Sequence, residues 1–254
     1  MKYFIQPSPA QFGYQEKVSA EEAICKLTNE IQTNFKEGAE SLTVFFDVSG
    51  AFNETWHSKI ITSLIGKNCP LIYTQLFGSF LENRRVHFQD DIKTQRQLNR
   101  GVPQGSVLSP LLWNTFYNEI IDTIKTIEPK AIPILFADDL SITLKINDVK
   151  DRPRIQRKMN KIIKNIIDWS TKNLIRFNST KTTAVLFSRK NKSLKYPRHE
   201  ICLTMDKAKL NLQKSAKYLG ITLDARLTWE THINDIVARA KKRFFMLNGA
   251  ISNS

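Results

Sequence analysis

Hydrophobic residues in this chain follow two different rhythms. Short dense runs of strand length occur at Leu42-Thr43-Val44-Phe45-Phe46, at Ile134-Leu135-Phe136 and at Leu140-Ser141-Ile142, the pattern of buried strands. Elsewhere the spacing is three or four. Ile155, Met159, Ile162, Ile163, Ile166 and Ile167 form one face of an amphipathic helix from Arg154 to Leu174. Its other face holds Arg154, Arg157, Lys158, Lys161 and Lys164. Ser19-x-x-Glu22 reads as a capping box opening a helix from about Ser19 to Phe35. Further helices are predicted over Glu54 to Ile65 and Leu71 to Leu81, and one long helix over Val107 to Ile127 with Pro110 in its first turn. Val86 to Leu98 reads as a polar hairpin; strands are expected at Ala184 to Phe187, Glu200 to Thr204 and Ala216 to Leu223, and a last helix from about Trp229 to Leu247. Strands and helices mixed without regular βαβ alternation predict an α+β fold.

A chain of 254 residues can bury one large core or two smaller ones. No apolar stretch approaches the roughly 20 residues of a membrane helix, and Met1 to Pro7 lacks the apolar segment of a secretory signal. Cys25, Cys69 and Cys202 are scattered and odd in number, and the four histidines show no metal-ligand spacing. A reducing compartment, nucleus or cytoplasm rather than the exterior, is the expectation. The net charge of +14 is uneven: residues 1–140 carry 13 Lys/Arg and 16 Asp/Glu, residues 141–254 carry 25 and 8. Such asymmetry suits a polyanionic partner, nucleic acid first, and equally a lysine-rich solvated surface.

The candidate chemistry is acidic. Asp138 and Asp139 sit where two apolar strands meet, and Asp47 closes a third. Carboxylates at the tips of buried strands are costly unless compensated, and hard divalent cations prefer oxygen ligands. A plain β-turn also favours Asp, so the pair alone decides nothing. The stretch Gly101-Val102-Pro103-Gln104-Gly105-Ser106-Val107-Leu108-Ser109-Pro110 changes the picture. With Phe46-Asp47-Val48-Ser49-Gly50-Ala51-Phe52 and Phe136-Ala137-Asp138-Asp139, it resembles the reverse transcriptase domain of non-LTR (LINE-type) retrotransposons of the jockey and R1 kind, from about Gln11 to the C-terminus.

The resemblance implies a polymerase palm, an antiparallel sheet backed by helices. Residues 1–40 would be partial fingers, 41–66 palm with motif A, 67–100 a connection with a hairpin, 101–228 palm with motifs B to E, and 229–254 the start of a helical thumb. It implies RNA-templated extension of a DNA primer by dNTPs with two Mg²⁺ ions, Mn²⁺ being able to substitute. Asp47, Asp138 and the Val48 backbone carbonyl would hold metal, and Asp139 would be a supporting carboxylate. Lys181, in a stretch similar to motif D, would protonate leaving pyrophosphate; a solvated turn lysine is the equal alternative. Phe52 would bar the sugar 2′-hydroxyl, although a lone Phe is more often core. Gln104 and Gly105 would line the nucleotide and template site. Tyr218, Leu219 and Gly220 resemble the primer grip, and Arg239, Lys241, Lys242 and Arg243 would track the duplex backbone.

The chain also departs from that pattern. The family usually places Arg where Gln15 stands, Gly where Lys17 falls, and Asp where Asn53 stands, and a basic triphosphate-gripping residue expected still earlier has no counterpart in Met1 to Ala10. Losing desolvated cationic contacts of this kind weakens nucleotide binding by on the order of 2–5 kcal/mol. Two rival readings follow: a truncated, catalytically inactive nucleic-acid-binding remnant, and an RNA-templated RNA polymerase palm. Phe52 and the Phe before Ala-Asp-Asp argue against the second.

Overall fold

The computed structural model describes residues 8–88, 91–190, 201–210 and 212–251. In chain order, α1 (Ala20–Lys36) leads into β1 (Glu40–Phe46) and the short β2 (Val48–Ser49), followed by α2 (Ala51–Glu54), α3 (His57–Gly66) and α4 (Leu71–Leu81). The hairpin β3 (Arg85–Phe88) and β4 (Asp91–Gln97) precedes α5 (Leu108–Tyr117) and α6 (Glu119–Ile127). A second hairpin, β5 (Ile132–Phe136) and β6 (Asp139–Ile146), leads into α7 (Arg152–Asn173), β7 (Arg176–Phe177) and β8 (Thr183–Phe187). The remainder comprises β9 (Leu203–Met205), β10 (Ala208–Leu210), β11 (Leu212–Gln213), β12 (Ser215–Tyr218), β13 (Ile221–Asp224) and α8 (Glu230–Ile251).

The main sheet has the order β11-β8-β1-β6-β5, antiparallel except for the β11–β8 pair. Strand β1 lies at its centre and every one of its residues is buried. Alternation explains how: Leu42, Val44 and Phe46 point into a core shared with α3 to α7, while Phe45 joins a second core with α1 and the β12–β13 hairpin. The polar Thr43 is accommodated by its cross-strand partner Thr143, their hydroxyls 2.9 Å apart. At the far end of β1, the fully buried Glu40 carboxylate accepts from Arg152 Nε at 2.9 Å, Arg152 Nη2 at 2.8 Å and Ser188 Oγ at 2.6 Å. That cluster ties β1, α7 and the end of β8 together.

The α+β expectation holds, with several local corrections. Residues 107–127 are two helices, because Asn118 at ψ −17° tightens the turn between α5 and α6. Residues 54–65 likewise divide into α2 and α3 around Thr55 and Trp56, the latter bridged to Arg100. The expected single strand Ala216 to Leu223 is the β12–β13 hairpin, folded at Leu219 (φ 47°) and Gly220 (φ 84°), the two positive φ values of a type I′ turn. Ser19 occupies the N-cap of α1 without capping it; its hydroxyl hydrogen-bonds the Glu21 carboxyl and holds it below its usual range. The strand expected from Glu200 begins at Leu203, with Glu200 itself outside the described residues. The hairpin expected from Val86 forms over β3 and β4, its residues 89–90 outside them.

Candidate active site

Strand β1 delivers Asp47 at its C-terminal end, and the β5–β6 hairpin delivers Asp138 and Asp139 beside it. Phe46 pairs with Leu140 and Phe136 with Asp139, so the next residue of the β1 register, Asp47, falls opposite Asp139. Asp47 bears on both hairpin acids. Burial first, then the Asp47 charge, pushes the Asp138 carboxyl above its usual range. Burial, followed by Asp138 and Asp47, pushes Asp139 up to about 6. The same field reaches the surrounding phenols: Tyr14, Tyr117 and Tyr218 are each raised by burial foremost, and then by Asp138, by both hairpin acids and by Asp139 respectively. Among the described residues, no three His, Cys, Asp or Glu side chains are already gathered tightly enough to hold a metal. Instead Asp47 leans on a cation, its Oδ2 3.9 Å from Lys181 Nζ.

Lys181 reaches Asp47 because its loop is stapled to the Asp47 backbone. The Asp47 carbonyl accepts from Asn178 N at 2.8 Å. Asn178 Oδ1 in turn accepts from Thr180 N at 3.0 Å and Lys181 N at 3.3 Å, the local turn that Asn side chains favour.

The hairpin turn at Ala137-Asp138 is held from behind. Ala137 sits at φ 57°, a costly region for a residue with a Cβ. Gln11, almost wholly buried, accepts from Ala137 N at 3.2 Å through Oε1 and donates to the Ala137 carbonyl at 3.4 Å through Nε2. Trp113 Nε1 donates to the same carbonyl at 3.2 Å, and Tyr117 Oη donates to the Asp138 carbonyl at 3.3 Å. Gly13 lies against the turn so closely that a Cβ there would stand 2.2 Å from Ala137 N. Reading the sequence missed Gln11, Gly13, Trp113, Tyr117 and Asn178 as site residues.

Phe52 stacks on Trp113 at 5.4 Å and meets Tyr14 edge-on at 6.0 Å, so it is both packed and turned toward the acidic end. The Gly101–Gly105 loop is tied to the same segment. Val102 N donates to the Phe52 carbonyl at 2.8 Å and Gly101 N to the Thr55 carbonyl at 2.7 Å. Gln104 Nε2 donates to Asn53 Oδ1 at 3.1 Å. Gly101 (φ 84°) has no room for a Cβ, which would meet the Asn53 carbonyl oxygen at 2.9 Å. Gly105 (φ 85°) faces open space. Tyr218 is buried against Phe45, and Leu219 and Gly220 form the hairpin tip. Arg239, Lys241, Lys242 and Arg243 lie exposed along α8, not among the acids. Thr222, through His232 and Asp235, links that helix to the hairpin. A cleft of about 820 Å³ opens between Ser49, Gly50, Trp56, Arg100 and Arg176; none of the three acids lines it.

An antiparallel sheet backed by helices, with paired aspartates on a hairpin beside an aspartate-tipped central strand, is the palm of a polymerase. Solved structures agree on the fold. Apo telomerase from Candida tropicalis superimposes with a TM-score of 0.57 at 12% identity over 87% of this chain and 36% of that one. A form truncated of its C-terminal domain gives 0.56 at 13%, over 87% and 40%. Residues 2–223 match the family described as reverse transcriptase (RNA-dependent DNA polymerase), and the chain belongs to that family. Its relatives come from non-LTR elements, as the motifs implied. "Probable RNA-directed DNA polymerase from transposon BS" of Drosophila melanogaster is 30% identical over 93% of this chain. The jockey RNA-directed DNA polymerase of the same organism is 25% identical over 89%. The chain spans about a quarter of those relatives' length, 26% and 24% respectively. No helix among the described residues is long and apolar enough to cross a membrane.

Proposed function

We propose that this chain extends a DNA primer 3′-hydroxyl with dNTPs on an RNA template. The observation that carries the reading is the strand register that brings Asp47 opposite Asp139 and beside Asp138, three carboxylates whose charge a bound cation would neutralise. The donor set is all oxygen, which suits Mg²⁺ or Mn²⁺. Asp47, Asp138 and the Val48 carbonyl would hold the ions, with Asp139 in support. Divalent ions so bound would supply an acidified primer hydroxyl and neutralisation of phosphoryl charge.

The chain's own groups do the remaining work. The Lys181 ammonium, beside Asp47, donates a proton to the departing pyrophosphate oxygen. Phe52, braced by Trp113 and Tyr14, crowds a ribose 2′-hydroxyl. Gln104 and Gly105 border the nucleotide and template. Tyr218, Leu219 and Gly220 steady the primer end, and the cations of α8 follow the duplex phosphates with salt-sensitive affinity. Residues 1–40 and 67–100 act as fingers and connection, 41–66 and 101–228 as palm, and 229–254 as the start of the thumb.

Primer extension on poly(rA)–oligo(dT), comparing wild type with Asp138→Ala and dNTPs with NTPs, tests this. Incorporation of dTTP by wild type alone is expected. Equal signals from both proteins would refute it, and preference for NTPs would favour an RNA polymerase. One observation favours the rival of an inactive nucleic-acid-binding remnant: Gln15, standing where the family has Arg, spends its side chain on the Gln11 carbonyl. A gel shift on RNA–DNA duplex without any extension would support that rival.

A further inference from the structure

We infer that Gln11 is a positioning residue that fixes the Ala137-Asp138 turn, and through it the aim of the Asp138 carboxylate. The inference rests on the polymerase reading for its kinetic consequence but not for its geometry. A turn with a non-glycine residue at φ 57° persists only when its surroundings over-determine it. Here one side chain grips the turn from both sides of the same residue. Gln11 Oε1 accepts from Ala137 N while its Nε2 donates to the Ala137 carbonyl.

Gln11 is itself immobilised. Its Oε1 also accepts from Gly13 N at 2.8 Å, and its flanking backbone is laid along β5, with Phe12 N donating to the Leu135 carbonyl and Leu135 N to the Ala10 carbonyl, each at 2.7 Å. Asn114 Nδ2 holds the Gly13 carbonyl at 2.9 Å, which keeps the missing Cβ of Gly13 against Ala137. The N-terminal loop is thus bridged to β5 at Gln11 and Leu135, and the inward amide of Gln11 is spent on the turn. A buried amide with this many partners is expensive to satisfy anywhere else. Nothing in the sheet's own ladder requires it, because β5 and β6 already pair from Ile132 to Phe136.

The test is Gln11→Met, nearly the same volume without any of the three hydrogen bonds, read by steady-state kinetics and by amide hydrogen exchange. Displacing a reacting group by about 1 Å costs up to about 100-fold, so kcat for dNTP incorporation is expected to fall about 10- to 100-fold. KM for dNTP should stay within about threefold, since binding contacts are untouched. Exchange at Ala137 and its hairpin neighbours should quicken about tenfold while β8 keeps its protection. Unchanged kcat in the folded variant, unchanged exchange at Ala137, or equal loss of protection across the hairpin and β8 would each overturn the inference. If Gln11→Met does not fold, Gln11→Asn keeps the amide but draws it back by one methylene from Ala137, and is judged by the same criteria. If wild type proves inactive, the polymerase reading fails, and exchange at Ala137 alone decides whether Gln11 holds the turn.

Discussion

Arg152→Met probes the buried cluster at the end of β1 opposite the acids. The Glu40 side chain is completely enclosed, and Arg152 supplies two of its three hydrogen bonds. Removing one partner of a buried pair costs about 3–5 kcal/mol, because a desolvated charge is left behind. The Arg152 side chain keeps 19% of its surface exposed, so water can partly compensate and about 3 kcal/mol is the expected loss. At roughly 2–4 °C per kcal/mol for a chain of this size, the midpoint should drop by about 6–12 °C. The pH dependence adds a second signature. Burial alone would raise the Glu40 carboxyl, yet the hydrogen bonds from Arg152 and Ser188 and the nearby cations hold it below its usual range. A depressed carboxyl adds stability above its unfolded value of about 4.3, lost as pH falls through the lower folded value. Without Arg152 burial wins, so the gap between variant and wild type should widen from pH 4 to pH 7. Glu40 and Asp47 are seven residues apart along a strand, about 23 Å at about 3.3 Å per residue, so primer extension well below the midpoint should be unaffected. The assay is thermal unfolding at pH 4, 5.5 and 7 alongside activity at 20 °C. A loss under about 1 kcal/mol, or a gap that narrows toward pH 7, would refute the reasoning.

Other substitutions read the acidic end directly. Asp139, raised to about 6, favours its protonated form in the fold, so its contribution is full below about pH 4 and is lost as pH climbs through about 6. In metal-free buffer, Asp139→Asn should therefore stabilise at pH 7 by on the order of 1–2 kcal/mol after screening and give no gain below pH 4, checked by chemical denaturation. Lys181→Ala should leave stability within about 1 kcal/mol, as befits an exposed ion pair, while single-turnover rates fall about 100-fold or more. Gly101→Ala forces a Cβ toward the Asn53 carbonyl at a positive φ, and should cost about 1–3 kcal/mol by denaturation.

The strands that carry the acids were legible because Leu42 to Phe46 and Ile134 to Ile142 are too densely apolar and too short to be anything else. The α7 stripe was equally plain, since Ile155, Met159, Ile162, Ile163 and Ile166 are all buried. Where the reading failed, one residue outweighed a trend. Asn118 interrupts a helical rhythm that continues on both sides of it. Leu219 hides a tight turn because a branched apolar residue gives no warning of positive φ. Lys17, standing where the resemblance puts glycine, does adopt φ 64°, so the backbone demand survives the change of residue. The grip of Gln11 on Ala137 crosses 126 positions, a distance no local pattern spans. The acids themselves could be nominated from their neighbours, but the lysine loop reaches Asp47 through Asn178, whose side chain gives no sign of it in sequence.

Trp113 is the shared neighbour of two parts with different duties. Its ring lies flat against Phe52 and Tyr117 while its nitrogen holds the Ala137 carbonyl. Under the proposed function, sugar discrimination by Phe52 would be mechanically geared to the rate set at the Ala137-Asp138 turn. A lineage of this protein drifting toward laxer nucleotide choice would slow down in the same stroke, and any recovery of speed would have to come from re-seating a single indole.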